Sequence, residues 1–275
     1  MAFGTIYVYM TSSLWKDHLN SSSLPNSLYV FYIPKLLFCV TLITLVGLGI
    51  VLAIIFTQVS DAPSLIVHPK DLLVMESWKD REETREYMAS LNAFADLYNG
   101  PAGEDLMSCS VGDDKGDGQC IFQMSWLQSP CSKDEEWGFR DFKPCLLLSF
   151  NEPRDWVPEP YTYPDELPEE MPKSLRKHIK NALKNGNSTK FLWVSCGGEY
   201  PADTEALGEP VLSPWPGFPS FYFPMRHDTS QEATPVLGLH IANAQSSVLI
   251  SIVCHFWAKN LPIPYVAARI EYLMI

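Results

Sequence analysis

One uninterrupted apolar segment constrains this chain more than any other feature. From Leu36 to Phe56 the sequence holds 21 residues without a charged side chain. A helix of that length spans about 30 Å, the thickness of the hydrocarbon core of a bilayer. A buried core helix rarely runs so far without a polar face, and no Ala-x-Ala-like cleavage site follows the segment. The segment 36–56 is therefore predicted to be a transmembrane helix that acts as an uncleaved signal anchor.

Charges, cysteines and a glycosylation sequon predict the orientation of the chain. Lys16 and Lys35 precede the apolar segment and Asp61 is the first charge after it, which weakly favours a cytosolic N-terminus. The sequon at Asn187 lies after the segment, where glycans are added in an oxidising compartment. Six cysteines lie on that side too, an even set that is typical of three disulfides: Cys109, Cys120, Cys131, Cys145, Cys196 and Cys254. We expect a type II protein with a cytoplasmic tail (1–35).

The charge distribution argues against a nucleic-acid partner. Residues 57–275 carry 18 Lys and Arg but 31 Asp and Glu, a net charge of −13. Binding to phosphates requires a basic surface, whereas an acidic balance of this kind mainly keeps a domain soluble. Membrane lipid is therefore expected around the segment 36–56, and no nucleic acid is expected elsewhere.

The rest of the chain divides by its pattern of apolar residues. Residues 57–100 are predicted to form a stalk, in which Pro63 and Pro69 oppose a helix, followed by a short amphipathic helix from Lys79 to Tyr98. Residues 101–275 contain short runs with period-two alternation, typical of strands: Gln119–Trp126, Cys145–Phe150, Lys190–Cys196, Val236–Ile241, Ser247–Trp257 and Arg269–Met274. One helix, Pro172–Ala182, interrupts them. This pattern predicts an all-β sandwich domain with one helix.

No segment carries a recognisable catalytic or metal-binding motif. Residues 113–118 are similar to a calcium loop, but Lys115 and Met124 occupy positions that need carboxylates, so a hairpin turn is the preferred interpretation. The six histidines have no metal-ligand spacing, and neither a Gly-x-Ser-x-Gly nor a His-Glu-x-x-His motif occurs. The chain is therefore predicted to be no enzyme and to need no metal or other cofactor.

The six cysteines after the membrane segment allow fifteen disulfide connectivities. Pairing each cysteine with its neighbour in the sequence gives separations of 11, 14 and 58 residues. Composition and spacing alone do not choose this arrangement over the others.

Several segments of the sequence resemble segments of one known protein family. Residues 193–203, read Trp-Val-Ser-Cys-Gly-Gly-Glu-Tyr-Pro-Ala-Asp, resemble the Cys-x-Gly-Glu-x-Pro-Ala-Asp stretch of the β subunits of sodium/potassium-transporting ATPases. The run Gly217-Phe218-Pro219 with Phe221-Tyr222-Phe223-Pro224 is similar to their aromatic-proline run, and residues 248–260 are similar to their late cysteine-containing strand. Lys143-Pro144-Cys145 matches a further motif, and residues 165–172 resemble invertebrate members especially.

The resemblance runs from about Tyr29 to the C-terminus. It implies an Ig-like β-sandwich on one transmembrane helix, with the cysteines bridged in sequential order: Cys109–Cys120, Cys131–Cys145 and Cys196–Cys254. It also implies a non-catalytic plasma-membrane subunit that pairs with the catalytic α subunit of a P-type ATPase, helps it to fold and reach the cell surface, and modulates potassium transport. A divergent β-like adhesion or junction protein that no longer serves a pump is the alternative.

Two groups of residues are predicted to contact the α subunit. In the membrane, Gly49 and Ala53 form a small-x-x-x-small pair that lets another helix approach closely, and Tyr29 and Tyr32 lie one helical turn apart before it. Outside the membrane, the aromatic cluster Phe221, Tyr222 and Phe223 is a candidate interface anchor. The alternatives are that the aromatic cluster belongs to the sandwich core and that the glycine reflects ordinary membrane composition.

Overall fold

A computed structural model of the chain describes residues 40–50, 62–70, 73–76, 82–99, 106–107, 109, 119–151, 153, 156–185, 190–225 and 234–275. The chain forms two compact units, Met1–Val59 and Ser60–Ile275. In the first unit, residues 40–50 form a helix (α1). Within the described residues, no helix combines the length and the apolar character that crossing a membrane requires.

The second unit is built mainly from strands. Its eleven described strands are β1 (Ser64–His68), β2 (Leu73–Glu76), β3 (Leu106–Met107), β4 (Gln119–Cys120), β5 (Cys145–Asn151), β6 (Phe191–Gly198), β7 (Val211–Ser213), β8 (Gly217–Pro219), β9 (Val236–His240), β10 (Leu249–Trp257) and β11 (Tyr265–Met274). Three α-helices accompany them: α2 (Glu82–Asp96), α3 (Lys173–Lys184) and α4 (Pro201–Leu207). The all-β fold class is confirmed.

The strands form two main sheets. One sheet has the order β1-β5-β9-β7, and the other has the order β2-β11-β10-β6-β8. Neighbouring strands are antiparallel except for β2 and β11, which run parallel. The central strands β5 and β9 are buried on both faces, whereas β10 alternates core and outer side chains, as the pleat of a strand allows. On β10, for example, Ile250, Ile252, Cys254 and Phe256 all point into the core, which explains the period-two pattern of this segment.

Aromatic side chains join the two sheets. The ring centroid of Phe150 on β5 lies 5.3 Å from that of Phe256 on β10 and 5.5 Å from that of Phe218 on β8. Such pairs contribute about 1 kcal/mol each beyond the area they bury. The two sheets therefore face each other across one continuous core. Helix α2 contacts β1 and β2, one strand of each sheet, and the turn at residues 136–141 contacts α2 and β5.

A second, smaller core lies on the outer face of the five-stranded sheet. Leu175 and Ile179 of α3 are buried there against Trp193 of β6 and Trp257 of β10. The two apolar residues lie four positions apart, so they share one face of the helix. The predicted helix Pro172–Ala182 is confirmed, and its apolar face covers part of the sheet.

The structure also corrects parts of the predicted organisation. Within the segment 57–100, the predicted helix Lys79–Tyr98 is confirmed as α2 (Glu82–Asp96). The predicted stalk before it is wrong, because β1 pairs with β5 and β2 pairs with β11. Of the predicted strand Gln119–Trp126, only residues 119–120 are extended, and residues 124–126 form a 3-10 turn. The short strands β3 and β4 pair in parallel, which a simple hairpin does not allow. Helix α4 is additional to the two helices expected, Lys79–Tyr98 and Pro172–Ala182.

Candidate docking surface

The aromatic cluster predicted as an interface anchor belongs to the core. Phe221, Tyr222 and Phe223 are only 5%, 4% and 4% exposed. The hydroxyl of Tyr222 donates a hydrogen bond to the carbonyl oxygen of Ile121 at 3.2 Å, and burial raises the pKa of this tyrosine. The ring of Phe223 meets Phe150 edge-on, with centroids 5.1 Å apart. These three side chains therefore hold the sandwich together and are not available to a partner.

Of the other predicted contact residues, only Gly49 lies in the part of the chain that the structure describes. Tyr29, Tyr32, Ala53 and the sequon residue Asn187 lie outside the described residues. Gly49 lies in α1, where a Cβ atom added to it would find no neighbouring atom within 4 Å. Its role as a helix contact stays a prediction. Residues 113–118 also lie outside the described part, and among the described residues no group of three His, Cys, Asp or Glu side chains is placed to hold a metal ion.

The six cysteines form three disulfides in the structure. The pairs are Cys109–Cys120, Cys131–Cys145 and Cys196–Cys254, the sequential order that the resemblance implies. The third bridge joins directly opposite residues of β6 and β10, whose Cα atoms lie 4.1 Å apart. The Cys-Gly-Gly-Glu segment that begins at Cys196 is therefore tied to the middle of the five-stranded sheet.

Four residues that follow in the chain, Gly198, Glu199, Pro201 and Asp203, have definite physical roles. A Cβ atom on Gly198 would lie 2.2 Å from the backbone nitrogen of Thr204, so only glycine lets α4 pack this closely on the end of β6. Glu199 forms an ion pair with Arg269 at 3.1 Å. Pro201 begins α4, where its missing N–H costs nothing, and Asp203 accepts hydrogen bonds from the backbone of Tyr200 and of Ser251. The motif thus fixes α4 against the second sheet.

An open groove lies beside this motif on the outer face of the five-stranded sheet. It has a volume of about 630 Å³. Its floor is formed by Gly197 of β6 with Val253 and His255 of β10, and its rim carries the carboxylates of Glu170 and Glu209. A smaller hollow of about 330 Å³ continues from it along α3. A mainly apolar floor with a polar rim is the usual character of a surface that receives a partner.

The polar groups of the groove are ordered by neighbouring side chains. The indole nitrogen of Trp257 donates a 2.8 Å hydrogen bond to the hydroxyl of Ser195, which fixes the tryptophan across the sheet. Burial lowers the pKa of His255, and the positive charge of Arg269 lowers it further, while Glu199 opposes both effects. Burial and Arg269 together thus favour the uncharged form of the imidazole.

Sequence reasoning missed the groove, although part of its signal was present. Alternation along β10 places Ser251, Val253 and His255 opposite the core residues, and these positions line the outer face. The missing information was that α3 covers only one part of that face. Gly197 marks the uncovered part, since a Cβ atom there would meet nothing within 4 Å.

Comparisons with known proteins find relatives among the beta subunits of sodium/potassium-transporting ATPases. The chain is 28% identical to the sodium/potassium-transporting ATPase subunit beta-2 of Drosophila melanogaster, over 69% of this chain and 60% of that protein. It is 25% identical to subunit beta-1 of the same organism, over 66% of this chain and 57% of that protein. The aligned part is thus less than two thirds of either relative.

A family comparison covers more of the chain. The sequence model described as the sodium/potassium ATPase beta chain matches residues 28–269, which include the apolar segment 36–56 and nearly all of the second unit. The beta chains of this family are non-catalytic subunits. A match of this extent shows that the chain belongs to the sodium/potassium ATPase beta-chain family.

Proposed function

We propose that this chain is the non-catalytic β subunit of a P-type cation-transporting ATPase of the Na⁺/K⁺-exchanging kind. In this role it assists the folding, assembly and plasma-membrane delivery of the catalytic α subunit and modulates potassium transport. The observation that carries the proposal is the family match from residue 28 to residue 269. The names of the two Drosophila relatives support the same assignment.

The proposal includes a type II anchor at residues 36–56. Helix α1 supports it, because its large apolar side chains project outward and are more than half exposed. The only polar side chains of α1 are Thr41 and Thr44, and the hydroxyl of Thr44 donates to the backbone carbonyl of Thr41 at 2.8 Å. A helix of this kind suits a lipid environment, where each polar group must find an internal partner. The facing sheets and three disulfides support an Ig-like extracellular domain with a glycan on Asn187.

Two surfaces are proposed to contact the α subunit. In the membrane, the small residues Gly49 and Ala53 are proposed to let a partner helix pack closely. Tyr29 and Tyr32, which precede the segment 36–56, are proposed to contact the same partner. Outside, the groove floored by Gly197, Val253 and His255 replaces the buried aromatic cluster as the candidate contact. Each surface contains a glycine, Gly49 in the membrane and Gly197 outside, at which an added Cβ atom would meet no atom within 4 Å.

Purification of the chain in mild detergent tests the proposal. The expected result is recovery of a multispanning P-type ATPase together with the wild-type chain. Gly197→Leu should reduce that recovery several-fold because its side chain fills the groove, whereas Gly197→Ala should leave most of it. If the wild-type chain recovers no ATPase, the adhesion or junction protein becomes the better assignment.

A further inference from the structure

Helix α3 concentrates positive charge in an acidic domain. Its twelve residues include five cations, Lys173, Arg176, Lys177, Lys180 and Lys184, and no Asp or Glu. Residues 57–275 as a whole have a net charge of −13. This local reversal of sign is not needed for solubility, which the acidic surface already provides.

The five cations form one stripe along the helix. At about 100° of rotation per residue they fall within an arc of about 100°, and they extend over about 16 Å along the axis. The four lysines are exposed and Arg176 is half-buried. The opposite face is held in the second core by Leu175 and Ile179, which are buried. The stripe is therefore presented to solvent by a firmly anchored helix.

The stability of α3 explains only part of this stripe, since the helix dipole favours just the cation in the last turn, Lys184. Lys173 and Lys177 lie four residues apart, as do Arg176 and Lys180, and like charges at this spacing weaken a helix. Lys173 and Arg176 also lie in the first turn, where the helix dipole disfavours cations, and no acidic residue is present there. Among the residues that the structure describes, no ion pair involves a cation of α3.

We propose that the α3 stripe, formed by Lys173, Arg176, Lys177, Lys180 and Lys184, binds a sulfated glycosaminoglycan. An extended polyanion carries many negative groups along one line, which matches a straight row of cations on a rigid helix. The guanidinium of Arg176 can hold an oxyanion through two parallel hydrogen bonds, while the lysines act as point charges. The extracellular setting rests on the proposed type II topology. On that side sulfated polysaccharide is the favoured polyanion, because anionic lipids are concentrated in the cytoplasmic leaflet.

Binding of the purified full-length chain to immobilised heparin tests the inference, with heparin as the probe. The wild-type chain should be retained at physiological salt and released by added salt, because the attraction is screened. Lys173→Gln/Lys177→Gln/Lys180→Gln should weaken binding about tenfold or more. The matched control is Lys70→Gln/Lys133→Gln/Lys143→Gln, which removes the same charge elsewhere and should bind nearly as the wild type does. Lys173→Arg/Lys177→Arg/Lys180→Arg keeps the charge and should keep the binding.

Competition identifies the ligand, and thermal unfolding of each variant verifies its fold. Soluble heparin should displace the chain, and chemically desulfated heparin should not. The inference is overturned if the Lys173/Lys177/Lys180 glutamine variant and its control bind alike, or if desulfated heparin competes equally well. It is also overturned if detergent micelles that contain phosphatidylserine compete as strongly as heparin. None of these outcomes depends on recovery of an ATPase, so the test is independent of the pump assignment.

Discussion

The imidazole ring of His68 stacks on the ring of Phe94, with their centroids 3.8 Å apart and their planes at 22°. This contact joins the end of β1 to helix α2. The Nε2 atom of His68 is also hydrogen-bonded to the hydroxyl of Ser149 on β5, at 3.0 Å. His68 is only 7% exposed, so it connects a helix and two strands at a position that excludes most water.

This environment predicts a loss of stability in mild acid. Burial lowers the pKa of His68 from 6.5 to about 4, and the charge of Lys70 contributes to the shift. Between these two pH values the unfolded chain binds a proton that the folded chain does not, so the free energy of unfolding falls as the pH falls. We expect a loss of roughly 2 kcal/mol from this group after allowance for solvent screening. Chemical denaturation at pH 7 and at pH 4.5 measures it.

The variant His68→Gln provides the control, since glutamine can bond to Ser149 but does not titrate. Its stability should be lower than that of the wild type at pH 7, because the stacking on Phe94 is lost, and should depend less on pH. Burial also lowers the pKa of His240 and His255, so some dependence will remain. Equal losses of stability in the wild type and in His68→Gln would show that His68 is not responsible.

A second prediction concerns the glycine beside a disulfide. A Cβ atom on Gly238 of β9 would lie 2.7 Å from the sulfur of Cys131 and 3.0 Å from that of Cys145. Gly238→Ala should therefore lower the free energy of unfolding by about 2 kcal/mol through overpacking. Gly197→Ala is the matched control, because its Cβ meets no atom within 4 Å, and it should be neutral or slightly stabilising. Thermal unfolding of the two variants compares them, and equal stability would contradict the packing described at this bridge.

A third prediction follows from the buried aromatic cluster. Tyr222→Ala should destabilise the domain by about 4 kcal/mol, as expected for a large aromatic core residue. Tyr222→Phe should cost about 1 kcal/mol, because it leaves the carbonyl of Ile121 without its donor. Denaturant titration separates the two values. If Tyr222→Ala kept wild-type stability but lost partner binding, Tyr222 would be a surface contact and not a core residue.

A fourth prediction concerns the orientation in the membrane. Asn187 should carry an N-glycan, so an endoglycosidase should produce a single shift in gel mobility. Asn187→Gln should remove the shift. A second sequon, Asn20-Ser21-Ser22, precedes the apolar segment. A glycan on Asn20 would instead show that the N-terminal tail faces the lumen and that the proposed topology is inverted.

Much of the fold was predictable because its signals are local. The alternation in β10 and the proline before α3 with Leu175 and Ile179 four residues apart required only neighbouring residues. By contrast, the local sequence around β1 and β2 predicts a stalk, since their pairing partners β5 and β11 lie far along the chain. Pairing of this kind depends on contacts that no local pattern contains.

The candidate site was less predictable for a related reason. The composition of residues 221–223 suits an interface and a core equally well. Only the packing of Phe223 on Phe150 and the bond from Tyr222 to Ile121 decide between them. The groove is defined by what α3 leaves uncovered, and that depends on how the helix crosses the sheet.

Recovery of an α subunit by immunoprecipitation tests the central claim most directly. The wild-type chain, Gly49→Leu and Gly47→Leu should be compared at equal expression and with intact disulfides. The two glycines lie about 200° apart around α1, and a Cβ atom on either would meet nothing within 4 Å, so Gly47→Leu controls for bulk on the other face. We predict that the wild type and Gly47→Leu recover a P-type ATPase α subunit and that Gly49→Leu recovers several-fold less. Failure of the wild-type chain to recover any such subunit would contradict the account.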